Sequence, residues 1–248
     1  MSGYGLFSKY YDKLNEDIDY KGRAGYLRGL FSRFESEPTL LLDLACGTGG
    51  FTFEFLKQGI DVIAVDPSEE MLGIAREKAV TEEMNPLFLC QSGAELDLYG
   101  TVDSAVCCLD SINHITDREE LEETFKKVSL FLEPGKLFIF DVNTVYKHEN
   151  ILADNTFVRE SDDMFFVWQN SYDEEEKITD IYLDFFLKKG DNYIRESEDF
   201  SERAYSDEEL TALLEKAGFR VEAIFGDMSE EAPSADSERN IFVARKVN

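Results

Sequence analysis

Apolar positions along the chain change period in a repeating order. Leu40 to Leu44 is apolar except at Asp43 and runs into Ala45-Cys46-Gly47-Thr48-Gly49-Gly50. Phe51 and Phe55 then stand one helical turn apart, and Gly59 stops the pattern. This predicts a buried strand, a tight turn and a helix. The same alternation continues downstream. Ile60 to Val65 reads as a second strand ending at Asp66, and Ser68 caps the helix that follows. Leu87 to Gln91 and Val102 to Leu109 read as the third and fourth strands. Asp117 and Glu120 form a capping-box pattern ahead of a helix that buries Leu121, Phe125, Val128 and Leu132. Pro134-Gly135 reads as a turn, and Leu137 to Phe140 as the fifth strand, ending in Asp141-Val142-Asn143. A second capping box, Ser206 and Glu209, opens a helix with Leu210, Leu213, Leu214 and Ala217 on its buried face, and Gly218 ends it. Phe219 to Phe225 and Asn240 to Arg245 are the last two strands. The acidic stretch 226–238 between them reads as a mobile loop. With no long helix to cross over, those two strands should pair antiparallel. The order strand, helix, strand predicts an α/β fold with a mostly parallel sheet.

Two segments break the alternation. Before the first strand, Leu6, Tyr10 and Leu14 share one helical face, and Tyr20, Ala24, Leu27, Phe31 and Phe34 suit a second helix. After the fifth strand, Met164 to Trp168, Ile178 to Leu187 and Tyr193-Ile194 are rich in aromatic and β-branched residues. Turn-like runs at 173–176 and 189–192 separate them. The expected organisation is an N-terminal helical lid over residues 1–36, a core of 37–146 and 204–248, and an inserted antiparallel β flap over 147–203 on the substrate side. The flap's acids, Asp162, Asp163 and the run from Asp173 to Glu176, could attract a cation, although solvated turns explain them as well.

The candidate chemistry lies at the first turn. Gly47, Gly49 and Gly50 permit backbone angles and close approaches that a Cβ would block. Asp43 sits inside an apolar run, where an unpaired carboxylate is costly. Asp66 ends the second strand, 66 − 43 = 23 residues on, which suits hydrogen bonding to a ribose diol. A dinucleotide fingerprint starting at Gly47 would need Gly or Ala where Thr52 stands, and no phosphate-binding Gly-Lys-Ser/Thr run exists. The ligand is nucleoside-like.

Asp43-Leu44-Ala45-Cys46-Gly47-Thr48-Gly49 resembles motif I of class I S-adenosylmethionine-dependent methyltransferases, with Ala45 in place of the first glycine. Within that class the chain is most similar to the bacterial YqeM-like group. The resemblance implies a Rossmann-like seven-stranded sheet with a reversed last strand, and S-adenosyl-L-methionine as cofactor. It implies cofactor contacts from Asp43, Ala45, Cys46, Gly47, Thr48, Gly49, Asp66, Pro67, Ser68 and Met71, with Tyr11 and Tyr20 from a lid marked by Tyr10-Tyr11-Asp12. Ser92, Gly93, Ala94 and Glu95 would border the adenine, with Ser92 where the family often has Asp. Leu109, Asp110 and His114, in a segment like motif IV, would lie between cofactor and acceptor. Asp110, His114 and Asn143 are the catalytic candidates, to orient or deprotonate the acceptor. Asn113, Asn143, Tyr146, Trp168, Arg203 and Tyr205 are the candidates for acceptor binding.

Charge narrows the partners. The 248 residues carry a formal net charge of −27. Such a field repels nucleic-acid backbones and anionic membranes and favours neutral or cationic small molecules. A small amine is therefore the expected acceptor. The alternatives are a tRNA base methyltransferase, which should carry a basic face, and a non-catalytic cofactor-binding regulatory module. A nicotinamide dehydrogenase is disfavoured by Thr52. Cys46, Cys90, Cys107 and Cys108 form no C-x-x-C pair, and His114 and His148 lack helical metal spacing, so no metal is expected. Without a long apolar span or a basic-then-apolar leader, a cytoplasmic protein is the expectation. No sequence feature sets an oligomeric state.

Overall fold

The computed structural model describes residues 7–160 and 163–247. Leu6, the first six positions of the expected lid, and Asp162 lie outside the described residues. Two helices come first, α1 (Phe7–Leu14) and α2 (Tyr20–Arg33). The alternating core follows as β1 (Leu40–Leu44), α3 (Gly50–Lys57), β2 (Asp61–Asp66), α4 (Glu69–Thr81), β3 (Leu87–Cys90), β4 (Val102–Cys107), α5 (Arg118–Phe131) and β5 (Leu132–Asn143). A single turn α6 (Val145–Lys147) passes into a π-helical turn, His148–Leu152. The flap is β6 (Thr156–Glu160), β7 (Met164–Asp173), β8 (Ile178–Lys189) and β9 (Asn192–Arg203), and α7 (Asp207–Lys216), β10 (Phe219–Gly226) and β11 (Arg239–Lys246) complete the core.

The core sheet has seven strands in the order β10-β11-β5-β4-β1-β2-β3. β11 runs antiparallel to both neighbours, while the pairs among β1 to β5 are parallel. The alternation of side chains along each strand divides the interior. Leu42, Leu44, Phe138 and Phe140 face α5 and α7, whereas Leu41, Val62, Ile139 and Val243 face α2, α3 and α4. Asp43 shares the face of Leu41 and is 1% exposed. Phe125, Phe138, Phe140 and Phe242 pack ring to ring at 5.0–6.1 Å. Each such buried ring contributes about 1.5–3 kcal/mol over an exposed one.

Three boundaries differ from the sequence reading. β5 starts at Leu132, and the Pro134-Gly135 turn is an irregularity inside it, where the pairing jumps from Val102↔Leu132 to Ser104↔Leu137. β4 stops at Cys107 because Leu109 and Asp110 both take positive φ, 56° and 53°. In the flap, β6 is an additional strand, and β9 pairs with β8 from Asn192 to Arg203, well beyond Tyr193-Ile194. β9 is polar and exposed along most of its length, so its backbone ladder, with no apolar pattern, defines it. The stretch 226–238 is also tied down. Arg23 forks onto Asp227 at 2.8 Å, Arg33 pairs with Glu230 at 2.8 Å, and the Tyr26 hydroxyl donates to the Ser229 carbonyl.

Lid and flap meet. A flap core of Phe166, Ile181, Leu183 and Phe185 receives Tyr10 and Leu14 of α1, with Tyr10 and Phe185 ring centroids 5.6 Å apart.

Candidate active site

The first turn is built by close approach. Cys46 N–H reaches back to the Val65 carbonyl at 3.0 Å, and the chain then turns through positive φ at Ala45 (57°), Gly47 (56°) and Gly49 (85°). Gly49 caps α3, and a Cβ there would stand 2.7 Å from the Phe53 ring; one on Gly50 would stand 2.4 Å from the Tyr20 ring. The loop must therefore be glycine for packing as well as for φ. Asp66 holds it in place, accepting from Gly47 N at 2.8 Å and from Ser68 N at 2.9 Å. Burial raises the Asp66 pKa, and those two backbone bonds oppose the rise. Asp43 accepts from the Thr52 hydroxyl, and burial pushes it up to about 7 against that hydrogen bond. Thr52, which spoils a dinucleotide fingerprint, has a structural use here.

Ser68 caps α4, its hydroxyl accepting from Met71 N at 3.2 Å, and Met71, in the first turn of α4, is buried. Pro67 is exposed at the strand tip. Ser92, Gly93 and Ala94 follow the adjacent strand β3, which meets β2 through Gln91 N to the Asp66 carbonyl at 3.2 Å. The Ser92 hydroxyl donates to Glu95 at 3.0 Å, and Gly93 lies against Thr124.

The N-terminal segment crosses this loop. Thr48 donates to Asp12 at 2.6 Å, and Lys78 of α4 pairs with the other Asp12 oxygen at 2.6 Å while donating to the Thr48 carbonyl. This brings Tyr11 to the site, where burial, then Tyr20, Asp110 and Asp66, raises its phenol pKa. Tyr20 stands edge-on to Phe51 at 5.3 Å, and burial pushes it up to about 12. Its hydroxyl is buried, faces Tyr11 and makes no hydrogen bond of normal geometry. A small cavity opens between Tyr11, Tyr20, Asp43, Ala45, Phe51 and Leu109, and Cys46 and Cys108 also line it. Burial raises both of those thiols far above their ordinary value, so they are neutral walls.

The second half of the site follows β4. Asp141 accepts from Leu109 N at 2.8 Å and Asp110 N at 2.7 Å, which fixes the two left-handed residues. Arg239, the first residue of β11, bridges Asp141 and Asp110. Burial opposes the charge on Asp110, yet Arg239, Lys147 and His114 hold it down to about 2. Asp110, His114 and Glu202 bring one ligand atom each within 4.8 Å of one another. Glu202 comes from β9, is 3% exposed, and accepts from Asn143 Nδ2 at 3.2 Å. Its carboxyl is raised by burial and by Asp110. Lys147 donates to Asn143 Oδ1 at 2.9 Å. His148 is fully buried, sits 2.7 Å from the Thr179 hydroxyl through Nδ1, and is lowered to about 4 by burial.

The structure thus gathers Tyr11, Tyr20, Asp43, Ala45, Cys46 and Leu109 around one cavity, and Asp110, His114 and Asn143 around Glu202. It does not bring every acceptor candidate there with a free polar group. Asn113 is fully buried and spends its side chain on backbone, accepting from Asn143 N at 2.9 Å and donating to the Asn143 and Arg203 carbonyls. Tyr205 donates to the Ile115 carbonyl from within the core, and Arg203 stacks on its ring at 5.7 Å while donating to the Thr116 carbonyl. These three brace the motif-IV-like loop. Trp168 donates to Asn170 and packs on Phe157 at 5.5 Å, inside the flap sheet. Tyr146 is half-buried in α6, its carbonyl accepting from Asn150. Sequence reasoning missed Arg239, Glu202, Lys147 and His148 as site members. An arginine opening an apolar strand was a usable signal for the first.

Comparison with known proteins agrees with this geometry. A family model described as a methyltransferase domain matches residues 41–135. The chain is similar to "Putative methyltransferase YqeM" of Bacillus subtilis (strain 168), at 32% identity over 98% of this chain and 97% of the relative. It is similar to the crystal structure of an S-adenosylmethionine-dependent methyltransferase from Clostridium acetobutylicum ATCC 824, with 31% identity, 99% of each chain covered and a TM-score of 0.89. An S-adenosylmethionine-bound amino pentose methyltransferase from Micromonospora echinaspora shares 16% identity over 96% of each chain at a TM-score of 0.78, a likeness of fold alone.

Proposed function

Because the chain belongs to the YqeM-like S-adenosylmethionine-dependent methyltransferases, we propose that it methylates the nitrogen of a small amine. The cofactor suits the residues present. The glycine loop leaves open space on its cavity side, where even a Cβ added at Gly47 would meet nothing nearer than a Tyr11 ring carbon at 4.0 Å. Tyr20, whose hydroxyl is buried, lines the same cavity. Asp66 would hold the ribose hydroxyls on lone pairs that Gly47 and Ser68 leave open. Tyr11 and Tyr20 would cover the cofactor and exclude water. When bound, S-adenosylmethionine supplies a methyl group on a positively charged sulfur, and the bond to sulfur breaks, leaving its electron pair there, as the bond to nitrogen forms.

The chain's remaining tasks are orientation and proton removal. The observation that carries the amine reading is the convergence of Asp110, His114 and Glu202 within 4.8 Å. Around them the acids Asp110, Asp141 and Glu202 stand among the cations Arg239 and Lys147, with Arg23 also acting on Asp141. A protonated amine beside Asp110 meets a carboxylate that stays ionised. Asp110 holds the ammonium, and His114 Nε2 takes one of its protons, freeing the lone pair for attack. The product leaves as a methylammonium and His114 returns its proton to solvent, so each turnover releases one proton.

A labelled-methyl assay against primary and secondary amines, matched alcohols and bulk tRNA tests this. Labelled amines with one proton released per methyl are expected. Label confined to alcohols, carbon acids or tRNA would overturn the amine assignment.

A further inference from the structure

The one buried acid of an otherwise exposed strand stands against the candidate base. β9 is polar along most of its length, and Glu198, Phe200 and Glu202 point to one of its faces. Glu202 is nevertheless 3% exposed. Burying a carboxylate is expensive unless the site uses or compensates the charge. Glu202 Oε1 lies 3.7 Å from His114 Nε2, and Phe200, two residues earlier on the same face, packs on the His114 ring at 5.1 Å. The juxtaposition is fixed by the neighbours of both residues. Arg203 N donates to the Asn113 carbonyl at 2.8 Å, and Asn113 Nδ2 donates to the Arg203 carbonyl at 2.9 Å. The flap and the loop after β4 are therefore locked one residue away from the pair.

We propose that Glu202, delivered by the flap, is the positioning residue for His114, aligning its ring and stabilising the imidazolium formed when it takes the acceptor's proton. The proposal rests on the methyltransferase reading above and gives the flap a part in the chemistry as well as in covering the site. At 3.7 Å the contact is longer than a hydrogen bond, so its action on a neutral ring is weak and on a protonated ring is a charge interaction. The other charged and titratable groups facing His114 are Asp110 on its own loop, Asp66 at the tip of β2, and Lys147 and His148 after β5. Asn143, clamped between Lys147 and Glu202, holds the carboxylate in place. The proton passes from the ammonium nitrogen to His114 Nε2 and then to water, and Glu202 neither gains nor loses one.

Glu202→Gln keeps the shape and the bond from Asn143 but removes the charge. Two measurements on the full chain decide the matter. The chain has 2 histidines, so the imidazole carbon-bound protons can be followed by NMR, with His114→Asn identifying the signal. The His114 titration should move to lower pH in Glu202→Gln, the direction expected on losing a nearby negative charge. Glu202→Asp should fall between the two. With the amine that wild type methylates fastest, kcat should drop at least tenfold in Glu202→Gln, while the S-adenosylmethionine dissociation constant stays within twofold. An unmoved His114 titration, or an unchanged kcat in a folded variant, overturns the proposal. If wild type methylates no amine, the amine reading fails by itself, and the NMR titration still decides whether Glu202 acts on His114.

Discussion

Replacing Arg239 by Ala removes the guanidinium that bridges Asp110 and Asp141. Asp141 stays buried and Asp110 half-buried, Asp141 still holding the Leu109 and Asp110 amides. The structure sets the size of the loss. Asp110 is held at about 2 against an ordinary 3.8, a difference worth roughly 2.5 kcal/mol. Removing one partner of a buried charge group costs about 3–5 kcal/mol, and Arg239→Ala should fall in that range at neutral pH. The pH dependence gives a sharper test. In the native protein the contribution of Asp110 is complete above its unfolded pKa and is lost as pH falls through about 2. In the variant, burial acts unopposed by Arg239, so the folded Asp110 pKa rises and folding retains a proton. Stability of the variant should then fall as pH rises above the ordinary aspartate range. The gap between wild type and Arg239→Ala must widen from about pH 5 to about pH 8, and taking the difference removes contributions common to both. Urea unfolding across that range is the assay. Arg239→Lys should recover part of the loss, because a single ammonium cannot fork to both acids. A loss below about 1 kcal/mol, or a gap independent of pH, would refute the reasoning.

Other changes test the first turn. Asp66→Ala should weaken S-adenosylmethionine binding by about 1.5–3 kcal/mol in calorimetry, and it should lower the melting temperature too, because Asp66 anchors Gly47 and Ser68; unchanged affinity would remove it from the site. Ala45→Gly should stabilise the protein by about 0.5–1 kcal/mol, since Ala45 holds φ at 57° and glycine relieves more strain than its entropy costs; no rise in melting temperature would count against the strain. Asp43 has its folded pKa raised to about 7, so the folded state binds the extra proton and stability falls as pH climbs from about 4 to about 7, by up to roughly 4 kcal/mol. Asp43→Asn should flatten that fall, and a pH profile matching wild type would exclude Asp43 as its source.

The core was legible because its strands are buried on both faces. Leu40 to Leu44 and Ile60 to Val65 read as apolar runs interrupted only at Asp43 and Asp61, and Asp43 together with Asp66, which ends the second strand, carried the ligand signal. The caps at Ser68, Asp117 and Ser206 were equally visible, each followed by the helix it begins. β9 lacks such a pattern. Its stretch Arg195-Glu196-Ser197-Glu198-Asp199-Phe200-Ser201-Glu202 offers several acids of one type, and only the fold shows which of them is buried. Pro134-Gly135 reads as a turn in sequence because local chemistry cannot show that the sheet absorbs it as an irregularity. Asn113, Arg203 and Tyr205 are polar groups beside a site, and their use as braces depends on backbone partners up to 90 residues away.

β11 is the last strand in sequence and lies inside the sheet, one strand from its edge. It lies between β5 and β10, so a growing chain that has reached residue 238 presents two open strand edges with a missing strand between them. Such edges invite pairing with other chains. The same strand brings Arg239 to Asp110, a contact spanning 129 positions. A nascent chain therefore carries the glycine loop and every acid of the pocket long before the cation that organises them. Closing such distant contacts is slow relative to local helix formation. Until β11 is in place, the sheet lacks one of its inner strands and Asp110 and Asp141 lack the guanidinium that joins them.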